Sequence, residues 1–229
     1  MGLRPKIKEF LRFILLISIT FGYNIGYSSL YFSDGLSISG TYSNQEEDGG
    51  GYNSKSLGLS YSAFQAPSNE RPTLSGIYEI SGFYNHIETD DGLNMEMLSG
   101  GLNYYTPNNL KFGFHHETLY DFSGQELDDL INQGFSVEMK SSSNIISIGF
   151  YNDIATNITG FIDIMNLDVK YSMDITFNGQ PFIDNEDNEN INLLRIGTGY
   201  KINNSVFQFM VTMNEDQEKR YSLGLIYQL

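Results

Sequence analysis

The chain has 229 residues, no Cys, and 13 Lys and Arg against 28 Asp and Glu, for a formal net charge of −15 at pH 7. Without Cys it has no disulfide framework, no thiolate metal site and no thiol nucleophile. The excess of acids argues against a nucleic-acid partner, because neutralising phosphates requires clustered cations. No metal site and no cofactor is predicted either. The acidic stretch 184–189 lacks the glycine and the spacing of an EF-hand loop.

The first 28 residues are predicted to be a secretory signal peptide. Four cations precede a short apolar run at 13–21: Arg4, Lys6, Lys8 and Arg12. A basic region, a short apolar region and small residues beyond it are the parts of such a signal. The run is shorter than the ~20 apolar residues of a spanning helix. Gly26 and Ser28 offer a small-x-small cleavage site. Cleavage there would export residues 29–229 as a single domain, and an uncleaved anchor helix is the alternative.

The rest of the chain alternates apolar and polar residues in stretches of roughly ten, separated by turn-rich breaks, which is typical of β-strands. The most regular stretch is Val169–Phe177, where every odd position is apolar. In the fourth stretch the apolar residues change parity between Met97 and Leu98, which predicts a β-bulge. The pattern predicts twelve strands, or ten if neighbouring stretches join, at about 35–43, 54–64, 73–85, 94–105, 110–121, 134–141, 145–152, 157–165, 169–177, 192–202, 205–213 and 219–229.

Acidic residues concentrate in the odd-numbered connections between these strands. The even-numbered connections are mostly shorter and nearly neutral, as in Thr106–Asn109 and Ile202–Ser205. One end of the predicted sheet is therefore acidic. The acidic connections are Glu46–Asp48, Glu88–Asp91, Glu126–Asp129, Asp153, Asp184–Glu189 and Glu215–Glu218.

An export signal, ten-residue alternating strands, acidic loops at one end and a regular last strand together resemble bacterial outer-membrane β-barrel proteins. The last strand resembles the signal by which the outer-membrane assembly machinery recognises such barrels, with one apolar face formed by Tyr221, Leu223, Leu225, Tyr227 and Leu229. The resemblance implies an all-β fold, a transmembrane antiparallel up-and-down barrel of about 12 strands, or ten. It also implies a Gram-negative outer membrane, with lipid and lipopolysaccharide around the barrel.

In such a barrel apolar residues face lipid and polar residues face the lumen. This assignment places five acids and five bases inside: Glu79, Glu117, Glu138, Asp163 and Asp174 with Lys111, Lys140, Lys170, Arg195 and Lys201. Ionisable groups at membrane depth are functional candidates, because they are costly unless paired or hydrated. They either pair across the lumen and plug it, or line a wet path. Small inward residues, such as Gly58, Gly149 and Gly197, are expected to leave space along the wall.

We therefore predict a narrow, weakly selective pore for small solutes, with a plugged structural or adhesion barrel as the alternative. A barrel that hydrolyses lipids or peptides is less favoured. His86, beside Glu88 and Asp90, gives the best local acid–base pair. His115 and His116 lie in mid-strand facing opposite ways, and no serine stands in a nucleophile motif. A soluble periplasmic β-sandwich or lipocalin-like binder remains a third class.

Overall fold

The computed structural model describes residues 30–32, 34–45, 51–65, 76–90, 92–215 and 218–229. The predicted signal peptide lies outside the described residues. So do the acidic run at 46–48, Asp91 and Asp216. No helix in the described part of the chain is long and apolar enough to cross a membrane.

Ten antiparallel strands form a closed barrel in which β1 pairs with both β2 and β10. Each of the other strands pairs with its neighbours in the sequence. The strands are β1 Gly35–Gln45, β2 Tyr52–Gln65, β3 Gly76–Thr89, β4 Leu93–Tyr105, β5 Leu110–Gly124, β6 Phe135–Ala155, β7 Ile158–Phe177, β8 Gln180–Ile202, β9 Ser205–Met213 and β10 Lys219–Gln228.

The all-β antiparallel barrel and the alternative count of ten strands are confirmed, and the count of twelve is wrong. The predicted strands 134–141 and 145–152 form one strand, β6, and the strands 157–165 and 169–177 form β7. The polar breaks that suggested turns face each other across these two strands, as Ser142 pairs with Lys170 and Asn144 with Asp168. Their backbones continue the hydrogen-bonded ladder, so polar side chains alone do not end a strand.

The connections divide the barrel into two ends. The acidic end carries the connections 46–51, 90–92, 125–134, 178–179 and 214–218, and the plain end carries the other four. Two acidic connections differ from the prediction. Stretch 184–189 belongs to β8, because that strand begins at Gln180. Asp153 lies at the plain end, where its carboxylate accepts a hydrogen bond from Thr159 at 2.7 Å, because β6 runs through to Ala155.

A short helix, α1 (Gln125–Asn132), joins β5 to β6 at the acidic end. Leu127 and Ile131 are spaced four residues apart, so they lie on one side of the helix. Leu127 is buried and Ile131 is half exposed. Acidic residues in the first turns stabilise the helix, because their negative charge interacts favourably with the positive end of the helix dipole. Gly134, with φ at +91°, ends the segment in a conformation that favours glycine.

The outer face of the barrel carries an apolar band that crosses all ten strands. One residue from each strand shows its extent, and these side chains are 41% to 58% exposed: Leu36, Leu59, Ile80, Leu102, Phe112, Ile148, Ile162, Ile196, Phe209 and Leu225. Aromatic residues lie beside it, and Tyr78 stacks on Tyr104 with ring centroids 4.7 Å apart. A continuous exposed apolar surface of this extent is not a stable arrangement in water.

Toward the acidic end the alternation of apolar residues inverts. On β7 the outward apolar side chains end at Ile164, and the apolar residues from Met165 onward point inward, so Val169 and Ile175 are completely buried. Two successive apolar residues mark the change, and Ile164 and Met165 pair with Leu194 and Leu193 on β8. The same doublets occur at Met97-Leu98 and Ile145-Ile146.

The inversion shows where the barrel leaves its apolar surroundings. Beyond the doublets the outer wall of β6 and β7 is polar and the inner wall of β7 is apolar, as in a barrel surrounded by water. It also corrects the predicted bulge. Side chains of β4 keep the same facing on both sides of Met97 and Leu98. A register shift does occur in this pair of strands, at Glu96/Met97, and Tyr120 on β5 is the extra residue.

Candidate functional site in the barrel interior

Large side chains fill the interior, and the inward glycines accommodate them. A Cβ atom at Gly58 would overlap the ring of Phe83, one at Gly149 would overlap Asp163, and one at Gly197 would overlap Phe161. The expectation that small inward residues leave space along the wall is therefore wrong at these three glycines. At each of these positions glycine has no side chain, and the space is occupied by a side chain from an adjacent strand.

Two adjacent glycines of β4 allow a direct test of this packing. Gly101 points inward and a Cβ there would overlap the imidazole of His115, whereas a Cβ at Gly100 would come only within 3.6 Å of a backbone oxygen. We expect Gly101→Ala to lower the free energy of unfolding by about 1–3 kcal/mol, because overpacking strains a filled interior. Gly100→Ala should be neutral or slightly stabilising. Urea unfolding of the barrel in detergent micelles measures both, and equal effects would contradict a filled interior.

A buried ion pair connects β5 to β7. The ammonium of Lys111 donates to Asp163 at 2.9 Å, and both side chains are at most 3% exposed. Arg195 lies directly across from Asp163 in the β7–β8 register and is fully buried. One carboxylate therefore lies beside two cations, and unpaired burial of any of them would be costly.

A second polar group runs from β3 to β5. Asn103 donates to Glu79 at 2.8 Å, and the carbonyl oxygen of the same amide lies 3.0 Å from Nε2 of His115. All three side chains are buried. Since the Asn103 oxygen is an acceptor, His115 donates from Nε2 in this arrangement. The amide thus orients one carboxylate and one imidazole inside the barrel.

A third polar group lies at Glu117, whose carboxylate accepts a hydrogen bond from Asn85 at 2.8 Å. Arg220 is also buried, on β10, which lies opposite β5 in the closed ring of strands. Sequence reasoning missed Arg220. Its parity matches that of Ser222 and Gly224, the inward face of the last strand, and this signal could have identified it.

Six of the ten predicted lumen residues lie on the inner wall. Five are buried, namely Glu79, Lys111, Glu117, Asp163 and Arg195, and Lys201 is half buried. Together with Arg220, the buried set contains three acids and three bases, so the interior carries little net charge.

The other four predicted lumen residues, Glu138, Lys140, Lys170 and Asp174, are corrected to the outer wall. They lie in the inverted part of β6 and β7, where apolar residues point inward. Glu138 and Lys140 form a pair at 2.7 Å with side chains 62% and 72% exposed. The hydrogen bond from Lys140 lowers the pKa of the Glu138 carboxyl below its usual value.

Apolar clusters close the interior on both sides of the charged groups. Toward the acidic end, Tyr52, Ile87, Leu93, Met95, Met97, Met139, Met173 and Ile175 pack together. At the plain end, Tyr31 and Phe32 precede β1 and pack against Val206 and Ile226. Lys201 holds this segment, because its ammonium donates to the Tyr31 carbonyl at 2.7 Å and lies 4.5 Å from the centroid of the Phe32 ring.

The three histidines lie apart from one another in the wall. His86 is half buried on the outer face and pairs in register with Lys55 and Glu96. His115 points inward, whereas His116 is exposed and its Nδ1 lies 3.0 Å from the amide oxygen of Asn144. Among the described residues no group of three His, Asp or Glu side chains is arranged to hold a metal ion.

The last strand presents the face predicted from the sequence. Tyr221, Leu223, Leu225, Tyr227 and Leu229 point outward and are 46% to 63% exposed. Across the closing seam, Leu223 pairs with Tyr42 and Tyr227 with Ile38. Recognition of this strand by an assembly machinery stays a prediction.

No family model matches the chain, and no curated protein matches it. The similar solved structures include the translocator domain of the autotransporter NalP from Neisseria meningitidis, at a TM-score of 0.45 and 10% identity, covering 100% of this chain and 98% of that one. The attachment invasion locus protein Ail of Yersinia pestis has a TM-score of 0.38 and 14% identity, covering 85% and 96%. A KdgM porin has a TM-score of 0.36 and 11% identity, covering 84% and 99%. The closed ring of ten strands and its apolar outer band give the chain the fold of an outer-membrane β-barrel.

Proposed function

We propose that the chain is an outer-membrane β-barrel closed to solutes. It anchors at the cell surface an acidic extension, which is formed by the parts of β6, β7 and β8 that continue beyond the apolar band. The filled interior carries this proposal, because the charges of Glu79, Lys111, Glu117, Asp163 and Arg195 are all at most 3% exposed. Side chains lining a hydrated path would be accessible to water. Of the two alternatives for the lumen charges, their burial favours the plugged barrel over the narrow pore.

The proposed orientation follows from the strand count. With ten strands, both ends of the barrel sequence lie at the plain end. An exported chain inserted from the periplasm would keep that end inside, so the extension formed by β6, β7 and β8 would face outward. Its exposed acids include Asp187 and Glu189. Divalent cations bridging these acids to lipopolysaccharide phosphates would link the extension to the outer leaflet.

The proposed membrane location includes its route. A signal peptide at 1–28 would direct export and be cleaved, and the assembly machinery would recognise the last strand. A barrel of this kind needs detergent for extraction and migrates faster on gels before boiling than after. A soluble β-sandwich would be extracted without detergent and would not show this difference in gel mobility. The extraction test therefore separates the two classes directly.

Conductance measurements test the closed state. Purified barrel inserted into planar lipid bilayers is expected to give no uniform conductance steps, because charged and apolar side chains fill the interior. Insertion is verified by the heat-dependent gel mobility of barrel recovered from matched vesicles. Uniform steps whose size changes in the Lys111→Gln variant would establish conduction through the interior and overturn the proposal.

A further inference from the structure

The barrel wall divides between β5 and β6 near the acidic end. These strands pair from Leu110 and Phe150 up to Thr118 and Ser142. Beyond that point β5 continues to pair with β4 as far as Gly124, and β6 continues to pair with β7. Among the strands of the described residues, each of the two has one partner there, and the outer wall forms a cleft beside the point of separation.

A cavity of about 270 Å³ occupies this cleft, and its lining combines polar residues with Leu119. Thr118, Ser142 and Ser172 line it, together with Lys140, Lys170 and Glu186. Two cationic residues beside three hydroxyl residues and one acid suit a phosphorylated sugar. The cations bind phosphate, and the carboxylate and hydroxyl groups bind sugar hydroxyls.

The strand register places the two lysines side by side. Lys140 lies opposite Ser172, and Lys170 lies opposite Ser142, so the lysines are diagonal neighbours on the outer face. Such neighbours have their backbones about 7–8 Å apart, within reach of long side chains. Both ammonium groups can therefore contact one phosphate. The pair between Lys140 and Glu138 is largely exposed, and exposed pairs are held weakly enough to exchange for a ligand.

The level of the cavity selects the kind of lipid. Lys170 lies six residues beyond Ile164, the last outward apolar residue of β7. At a rise of about 3.3 Å per residue and a tilt of about 40°, this places it about 15 Å above the apolar band. A phospholipid headgroup region is only about 5–8 Å deep. A headgroup of several sugars reaches the cavity, whereas a simple phospholipid headgroup does not.

We propose that this cleft binds a phosphorylated saccharide headgroup of an outer-leaflet glycolipid, with Lys140 and Lys170 holding the phosphate. The inference rests on the proposed membrane orientation and gives the lipid contact a defined place. Glu186 and the three hydroxyl residues bind the sugar. The lysines thus bind phosphate directly, at a site separate from the acids that would need bridging cations.

The test measures binding of lipopolysaccharide with a phosphorylated core to the full barrel in detergent micelles containing a chelator. Replacing both lysines, as K140Q and K170Q together, should weaken binding at least about tenfold, because each removes a charge-assisted hydrogen bond. The matched control replaces two other exposed lysines, as K55Q and K219Q together, and should change binding less than about twofold. Dephosphorylating the core should reduce wild-type binding to the level of the first double variant.

Equal weakening in the two double variants would indicate general electrostatic attraction and overturn the proposal. Binding that does not depend on the core phosphates would overturn it as well. Glucosamine 6-phosphate serves as the soluble probe. If it binds as tightly as the glycolipid, the assignment to a membrane lipid is wrong. The conductance test is independent of the binding test. Failure of the predicted glycolipid binding would not contradict the closed barrel, and observed conduction would not contradict the binding result.

Discussion

Replacing Asp163 by alanine is expected to lower the free energy of unfolding by about 3–5 kcal/mol, because it leaves buried cations without their carboxylate. Lys111 donates to Asp163 at 2.9 Å, and Arg195 lies across from it on β8. The change also opens space in the wall beside Gly149. Urea unfolding in detergent micelles, followed by tyrosine fluorescence, measures the loss, since the chain has 16 Tyr and no Trp.

Glu138→Ala is the matched control for this prediction. It removes the carboxylate of an ion pair that is 2.7 Å long but largely exposed, and an exposed pair contributes little to stability. The double variant with Lys111→Met and Asp163→Leu should recover part of the loss, because an apolar pair leaves fewer buried charges unpaired. Similar losses from Asp163→Ala and Glu138→Ala would show that the interior is hydrated.

Replacing Ile162 by arginine is expected to destabilise the barrel in lipid vesicles by about 2 kcal/mol, because the cost of a charge rises from the edge of the hydrocarbon layer toward its middle. Ile162 is 41% exposed on the outer face of β7, inside the apolar band. A charge there would lie against hydrocarbon. The measurement is reversible urea unfolding in vesicles, with folded and unfolded barrel separated by their mobility on gels without boiling.

The control for Ile162 lies six residues farther along the same face. Asp168 points outward beyond the doublet Ile164-Met165, so Asp168→Arg should change stability by less than about 0.5 kcal/mol, as is usual for a solvated surface. A large effect at both positions would place the membrane boundary higher on the barrel. A small effect at both would contradict contact between this wall and hydrocarbon.

The sequence predicts the barrel because short alternating strands, turn-rich breaks and a regular last strand all indicate an antiparallel up-and-down β-barrel. It also predicts the inner face wherever a strand crosses the apolar band, as at Lys111, Asp163 and Arg195. In this band the outward residues face hydrocarbon and the inward residues make polar contacts. Apolar residues therefore mark the outer face and polar residues the inner face. This rule placed five buried charges and the outward face of the last strand.

The same rule fails where a strand extends beyond the band. In Val169–Phe177 the alternation is regular, but it belongs to a barrel wall in water, and Ile175 therefore points inward and is completely buried. Periodicity identifies two faces and does not say which one is outside. Alternation therefore predicts Lys140 and Lys170 inside, whereas both lie on the outer wall. The doublet Ile164-Met165 was visible in the sequence and marks the change.

The contents of the interior required the structure. Gly149 and Gly197 indicate a small wall residue, but only the strand register shows that Asp163 and Phe161 occupy the space above them. Arg220 is one residue from Tyr221 and follows the parity of the last strand, so attention to that strand's second face would have found it. The partners of these groups lie on distant strands, which no local pattern specifies.

The segment at residues 30–32 reinforces the closure of the ring. It precedes β1 by only a few residues, and β1 is one of the two strands that form the final seam. Tyr31 occupies the space above Gly199 on the inner wall of β8. In the ring, β8 is linked to β1 across the seam through β9 and β10, so this contact joins the two sides of the seam. The segment therefore adds side-chain packing from inside to the strand pairing that closes the barrel.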